Sequence, residues 1–201
     1  MMTITYPVNR GIYINMTNRC PCACTFCLRQ NADSVYGSDP LWLDREPTVE
    51  EVCASIDAWN LADYDEIVFC GYGEPTERLD DLLLVAKHIR EVSDIKIRIN
   101  TNGLADLIAG ESTAHRLKCL IDTVSISQNA TNAEDYEKVV RPKFGIKSYD
   151  AMLAFASDCV KYVPNVVMTV VDVVTSKEEQ EKSREICESI GAKLRIRPFE
   201  E

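Results

Sequence analysis

The sequence predicts an α/β protein built on a parallel sheet. Short apolar runs rich in β-branched residues alternate with helical patterns along the chain, and polar or glycine residues directly follow several of these runs. Strict alternation of strands and helices favours parallel strands joined by right-handed crossovers. Six such units are compatible with an open doubly wound sheet or with three quarters of an eight-stranded barrel, and the pattern alone does not separate the two.

The predicted strands are short, and a long cysteine-bearing loop over residues 17–47 separates the first strand from the first helix. In either architecture, functional residues gather where the carboxyl ends of the strands meet. The six predicted strands lie at 11–16, 66–71, 96–103, 123–130, 165–174 and 193–199.

The predicted helices carry their own start and stop signals. Thr48 and Glu51 have the spacing of a capping box at the start of the first helix, and Thr131 and Glu134 repeat that spacing later in the chain. Gly191 is placed to end the last helix. The predicted helices span 48–59, 79–92, 112–121, 131–140, 148–162 and 176–191.

Composition predicts a single cytoplasmic domain over residues 1–201. The chain is 46% hydrophobic and 27% charged, without a linker or low-complexity tract. A formal net charge of −10 argues against general nucleic-acid affinity, which needs a basic surface. No apolar run approaches the roughly 20 residues of a membrane span, and the N-terminus lacks the regions of a signal peptide. We therefore expect no membrane association.

The cysteines indicate a metal site. Nine cysteines are an odd number, and four of them fall within eight positions of one loop. In a reducing compartment, clustered cysteines are metal ligands more often than disulfides. Cys20, Cys24 and Cys27 have the spacing C-x3-C-x2-C, with Phe26 just before the last cysteine. Three thiolates on a [4Fe–4S] cluster leave one iron open to a substrate or cofactor.

This spacing resembles the signature of the radical S-adenosylmethionine (radical SAM) superfamily. The segment GYGEPT (71–76) is similar to the second-strand motif of that superfamily, and NTNG (100–103) is similar to the third-strand motif of its small activase-like members. The resemblance covers nearly the whole chain and implies a partial TIM-like (β/α)6 barrel. Within the superfamily, the length and the motif series look like the small radical SAM proteins encoded beside TatD-type metal hydrolases.

The resemblance also implies the cofactors, a [4Fe–4S] cluster and S-adenosylmethionine (SAM), and residues for each. Cys20, Cys24 and Cys27 would hold the cluster, Glu74 and Asn100 the amino group of SAM, and Asn129 its carboxylate. Ser127 would face the ribose, although the superfamily commonly carries an acidic residue and a lysine at these last two places. The residues implied for the cofactors as a whole are Phe26, Gly71, Tyr72, Gly73, Glu74, Asn100, Asn102, Ser127, Asn129 and Phe199.

Other interpretations of the cysteines stay open. Cys22 could complete a zinc knuckle or serve as a fourth cluster ligand, and a fully ligated cluster would make the protein an electron carrier. We expect Cys22 to be no ligand. The remaining cysteines fit core positions, and Cys70 also lies near the predicted site. These core candidates are Cys53, Cys70, Cys119, Cys159 and Cys187.

Two strands alternate basic and apolar residues, which predicts one basic and one apolar face for each. On the third strand, Arg98 alternates with isoleucines, and on the sixth strand Arg195 and Arg197 alternate with Leu194 and Ile196. If the apolar faces pack on helices, the arginines line the lumen and select an anionic substrate. On the sixth strand, the charges could instead protect an exposed edge.

The resemblance implies that an electron donor such as flavodoxin or ferredoxin reduces the cluster. We expect a wide lateral opening in the barrel, covered by a large substrate, a partner protein or a second copy of the chain. An activase that makes a glycyl radical on a partner enzyme is an alternative function. The segment 28–47 carries Tyr36, Leu41, Trp42 and Leu43, which suggests a lid or contact surface, or packing against the first helix.

Overall fold

The computed structural model describes residues 2–30, 32–34, 37–173 and 175–198. Its seven strands form one sheet in the order β1-β2-β3-β4-β5-β6-β7. β1 and β2 pair antiparallel, and all later neighbours pair parallel. The strands are β1 Thr5–Val8, β2 Gly11–Ile14, β3 Glu66–Phe69, β4 Lys96–Thr101, β5 Thr123–Ser127, β6 Asn165–Val171 and β7 Lys193–Arg197.

Six helices follow the strands on the outer face of the sheet. They are α1 Val49–Asp57, α2 Leu79–Val92, α3 Ala105–Ala109, α4 Ala133–Val140, α5 Ser148–Tyr162 and α6 Lys177–Ile190. The predicted capping box at Thr48 and Glu51 is present, and Gly191 caps α6 in the left-handed conformation. No helix in the described part of the chain is long and apolar enough to cross a membrane.

The sheet is an open barrel, as the partial (β/α)6 prediction requires. One cavity is lined both by Tyr13 of β2 and by Arg195 of β7, so the sheet curls far enough for its two sides to face each other. The outward residues of β4, Ile97 and Ile99, are at most 1% exposed in the core against the helices. The alternation of β4 therefore predicted correctly which face points into the lumen.

Five local predictions were wrong. A first strand, β1, precedes the predicted set and forms a hairpin with β2. Thr131 and Glu134 are not the capping pair of α4, because Asn132 is its N-cap and the Asn132 side chain accepts from the Asp135 backbone. Cys119 is exposed rather than buried in the core. The predicted helix 112–121 is a short 3₁₀ helix, Ala114–Leu117, preceded by α3, and the strand predicted over 96–103 ends at residue 101.

Candidate functional site

The cysteine segment lies at the carboxyl end of β2 and is fastened to α4. The Ala23 backbone donates to the Val140 carbonyl at 3.1 Å, and the Thr25 backbone donates to the Val139 carbonyl at 2.9 Å. Cys22 forms an isolated antiparallel bridge with Pro142. The end of α4 thus supplies backbone partners to a loop that has no regular structure of its own, which fixes where its thiols point.

Arg29 organises the same loop from within. Its guanidinium donates to the carbonyls of Asn18, Cys22 and Tyr72, each at 3.3 Å. These three carbonyls belong to the two segments that follow β2 and β3, so one side chain joins the cysteine loop to the glycine motif. The sequence analysis missed Arg29, because an arginine in an irregular loop carries no periodic signal.

The four loop thiols are not chemically equivalent. Hydrogen bonds from Cys22 lower the pKa of Cys20 and of Cys24, and the charge of Arg29 adds to this effect against the opposing effect of burial. The same hydrogen bonds raise the pKa of Cys22, which is 5% exposed, and burial raises the pKa of Cys27. These shifts favour the neutral thiol at Cys22 and the thiolate, the form in which cysteine binds metals, at Cys20 and Cys24.

This donor set fits an iron–sulfur cluster. Cys20, Cys24 and Cys27 all line the cavity at the end of the lumen. Among the described residues, no three Cys, His, Asp or Glu side chains are grouped to hold one metal ion. A cluster of four irons differs from such a site because each thiolate binds a different iron.

The glycine motif packs against the backbone that follows β2. A Cβ atom at Gly73 would collide with the carbonyl oxygens of Thr17 and Arg19, and one at Gly71 would collide with Asn15. These close neighbours belong to the segment between β2 and the loop cysteines, so the two glycines bring the two predicted cofactor segments into contact.

Glu74 ties the end of β3 to the end of β4. Its Oε1 accepts from the Thr76 hydroxyl at 2.8 Å and from the Thr101 hydroxyl at 2.7 Å, and its Oε2 accepts from the Asn102 backbone at 2.7 Å. Glu74 is 4% exposed, and burial raises its pKa against these hydrogen bonds. The carboxylate lines the cavity, but most of its acceptor capacity is used within the protein.

The two asparagines of NTNG differ in their contacts. Asn100 lines the lumen, and its Oδ1 accepts from Arg98 at 2.8 Å. Asn102 donates from Nδ2 to the sulfur of Cys22 at 3.6 Å and accepts at Oδ1 from the Leu104 backbone. Asn102 therefore contacts the sulfur of Cys22 rather than that of one of the three predicted ligands.

Ser127 and Asn129 meet the same cavity from the end of β5, and Phe26 and Tyr72 meet it from the loops. Asn129 adopts a φ of 55° and is 3% exposed, and its Oδ1 is buried without a hydrogen-bond partner in the described part of the chain. A buried acceptor without a donor suits a ligand that supplies one. The predicted residue Phe199 lies outside the described residues.

Together these residues line one cavity of about 530 Å³. It extends from the cysteines past Glu74 and Asn100 to the arginines of β4 and β7. This volume is within the range of cofactor and ligand sites in proteins. The structure thus brings together the described members of the predicted site, which are Cys20, Cys24, Phe26, Cys27, Gly71, Tyr72, Gly73, Glu74, Arg98, Asn100, Asn102, Ser127, Asn129, Arg195 and Arg197.

The long loop packs over the β1–β2 side of this cavity. Leu41 is fully buried in a small cluster with Tyr6, Val8 and Tyr72 rather than against α1. Trp42 is 42% exposed and contacts the edge of the Tyr72 ring, with 5.1 Å between ring centroids. Leu41 of this loop therefore both lines the cavity and packs against Tyr72 of the glycine motif. Tyr36, which we expected in the same lid, lies outside the described residues.

Comparisons with known proteins identify the family. The model of the Radical SAM superfamily matches residues 14–187. The fold is similar to a radical SAM methyltransferase from Sphaerobacter thermophilus (TM-score 0.64, 18% identity, 96% of this chain and 57% of that one). It is also similar to SuiB from Streptococcus suis bound to S-adenosylmethionine (0.64, 15%, 94% and 38%) and to the FeFe-hydrogenase maturase HydG from Carboxydothermus hydrogenoformans (0.68, 16%, 95% and 44%).

No curated protein sequence matches the chain, and the chain spans about two fifths to three fifths of the length of these solved structures. At such low identity the structural likeness supports the fold, and the family model supplies the assignment. The chain belongs to the radical SAM superfamily of enzymes, whose cofactors are a [4Fe–4S] cluster and S-adenosylmethionine.

Proposed function

We propose that the chain abstracts a hydrogen atom from an anionic or macromolecular substrate, in a reaction of the oxidoreductase or lyase type. When bound, the reduced cluster and SAM supply a 5′-deoxyadenosyl radical for that step. The observation that carries the proposal is the shared cavity, which is lined both by the cysteines of the loop and by the arginines of β4 and β7. Such a cavity can hold the cofactors and a substrate next to each other.

In this proposal each residue of the chain has a binding or positioning task. Cys20, Cys24 and Cys27 hold the cluster, and Cys22 supports them through its thiol hydrogen bonds. The free Oδ1 of Asn129 is an acceptor, so it suits a donor of SAM such as the ammonium group rather than the carboxylate expected from the resemblance. Both oxygens of Glu74 are already hydrogen-bonded, so this residue mainly fixes the ends of β3 and β4 beside the cavity. Its Oε2 still has acceptor capacity for an ammonium group.

The open side of the barrel supports a substrate or partner that completes it. We infer that a large substrate, a partner protein or a second copy covers the lateral opening between β1 and β7, and that flavodoxin or ferredoxin reduces the cluster. The motif series favours the TatD-linked group within the superfamily. The NTNG motif also favours a second candidate, an activase that forms a glycyl radical on a partner enzyme.

The test is anaerobic reconstitution with iron and sulfide, followed by dithionite and SAM, with 5′-deoxyadenosine as the product measured. We expect product from the wild-type chain and from Cys22→Ala, and none from Cys24→Ala. Cys22 and Cys24 are two residues apart in one loop, so they form a matched pair.

The iron content of each variant separates the alternatives. An iron–sulfur electron carrier with four cysteine ligands would lose its cluster in Cys22→Ala and form no 5′-deoxyadenosine at all. A fully loaded wild-type cluster that gives no more product than Cys24→Ala would contradict the proposed catalysis.

A further inference from the structure

The three arginines of the lumen have different electrostatic surroundings. Arg98 forms a two-point ion pair with Glu66, with its nitrogens 2.6 and 3.0 Å from the carboxylate oxygens. Its remaining nitrogen donates to Asn100, and the guanidinium also contacts the Tyr13 hydroxyl. Burial opposes the charge of Arg98, but Glu66 outweighs it and raises the pKa. The positive charge of Arg98 is therefore neutralised inside the protein.

Arg195 and Arg197 lack such neutralisation. They lie two residues apart on β7, so they face the same lumen. Neither forms an ion pair or a side-chain hydrogen bond with any described residue, and the Arg197 Nε is buried without an acceptor. Burial and the nearby charges of Arg98 and Arg197 lower the pKa of Arg195. Two cationic groups thus share one pocket in a chain of net charge −10.

We propose that Arg195 and Arg197 bind a phosphate monoester group of the substrate. A phosphate monoester carries a charge of about −1.5 to −2 at neutral pH, which matches two guanidinium groups, whereas a carboxylate matches one. Arginine also presents paired N–H donors that suit the oxygens of a phosphate. Thr169, the cross-strand partner of Arg195, places a buried hydroxyl beside them.

This inference rests on the proposed function, because the phosphate group belongs to the substrate of the radical reaction. Its binding to the arginines would hold that substrate in the same cavity as the cysteines. SAM also carries an oxyanion, its carboxylate, and the experiment must separate these two sources. If the arginines held the SAM carboxylate, substitution of Arg195 would weaken SAM binding and SAM would compete with phosphate. If they hold the substrate, SAM binding stays unchanged and phosphate binds alongside it.

The test is calorimetric titration of inorganic phosphate into the reconstituted protein, anaerobically, in phosphate-free buffer at constant ionic strength. We expect saturable binding that weakens at least tenfold in Arg195→Gln and in Arg197→Gln, since each removes a charge-assisted contact. Lys193→Gln is the matched control. Lys193 lies on the same strand but outside the cavity, so phosphate affinity should stay within twofold.

Four results would overturn the inference: no saturable phosphate binding, equal weakening in Lys193→Gln, acetate bound as tightly as phosphate, or displacement of phosphate by SAM. Arg197→Lys keeps the charge and should retain part of the affinity, which distinguishes binding from misfolding. Formation of 5′-deoxyadenosine without phosphate binding would leave the proposed function intact and remove only this site. Phosphate binding without 5′-deoxyadenosine would contradict the proposed function instead.

Discussion

Arg98 and Arg195 face the same lumen from β4 and β7, but only Arg98 is paired with a carboxylate. The pattern extends beyond these two residues. On the β1–β4 side, Arg29 is fully engaged by carbonyls, and Glu74 accepts from four donors. On the β7 side, the arginines have no acidic partner among the described residues, and Ile196 is 39% exposed.

The difference separates two kinds of binding surface. Where polar groups are already paired, the chain itself fixes the positions of the side chains, and a cofactor meets a prearranged site. Where charges are left without partners, the ligand must supply the opposite charge, and the free energy of pairing contributes to its binding. We infer that the β1–β4 side positions the cofactors and that the β7 side recognises the substrate by its charge.

The largest effect is expected from Gly73→Ala, which tests how tightly the β1–β4 side is packed. The added Cβ would collide with the carbonyls of Thr17 and Arg19, at the base of the cysteine loop. Backbone carbonyls cannot move aside without distorting the chain, so we expect the free energy of unfolding to fall by about 3 kcal/mol. The measurement is the anaerobic urea-unfolding midpoint followed by tryptophan fluorescence.

Gly110→Ala is the control for this substitution. Gly110 has a φ of 76° at the end of α3, and nothing lies within 4 Å of an added Cβ. Only the left-handed backbone opposes the methyl group, which costs about 1 kcal/mol. If both alanine variants lose the same stability, the close contact at Gly73 does not constrain the fold.

Glu66→Gln turns Arg98 into an arginine like those of β7. The largely buried guanidinium of Arg98 would lose its carboxylate partner. Because Glu66 is partly exposed, we expect the free energy of unfolding to fall by about 2 kcal/mol in the same measurement. Asp65→Asn is the neighbouring control, since the Asp65 pair with Arg10 is mostly exposed and should have no measurable effect. Equal losses in both variants would show that burial of the Arg98 pair is irrelevant.

Thr101→Val probes the network around Glu74 with little change of shape. It removes the 2.7 Å hydrogen bond to Glu74 and the acceptor for the Gly103 backbone, so we expect a loss of about 1 kcal/mol. Thr169→Val is the control, since the Thr169 side chain is also buried but forms no hydrogen bond with any described residue, and this substitution should be nearly neutral. A neutral Thr101→Val would mean that Glu74 does not depend on this donor.

The sequence alone predicted the parallel sheet and the residues that lie together at the carboxyl ends of its strands. Alternation on β4 placed Arg98 in the lumen, and the ends of successive strands placed the cysteine and glycine motifs together. Both inferences follow from backbone geometry, which repeats every two residues in a strand and gathers the carboxyl ends of parallel strands.

The sequence could not supply contacts between distant segments. Arg29 reaches carbonyls in two loops, and Glu66 selects Arg98 rather than Arg195, although the three arginines look alike in the sequence. The hairpin strand β1 was missed because it is only four residues long and includes a proline. Such partners depend on how the sheet curls, which no local pattern records.

The smallest effect concerns Glu51, a paired charge on the surface of the β1–β4 side. The Arg45 guanidinium and the Thr48 backbone hold the pKa of Glu51 at about 2. Because the folded pKa lies below the unfolded one, the stabilising effect is full above about pH 4.5 and is lost as the pH falls toward 2. Arg45→Gln should raise the pKa of Glu51 in a carbon-detected NMR titration, because it removes the guanidinium that lowers it. An unchanged Glu51 pKa would show that the Thr48 backbone alone sets it, and that ion pairing contributes nothing at this exposed position.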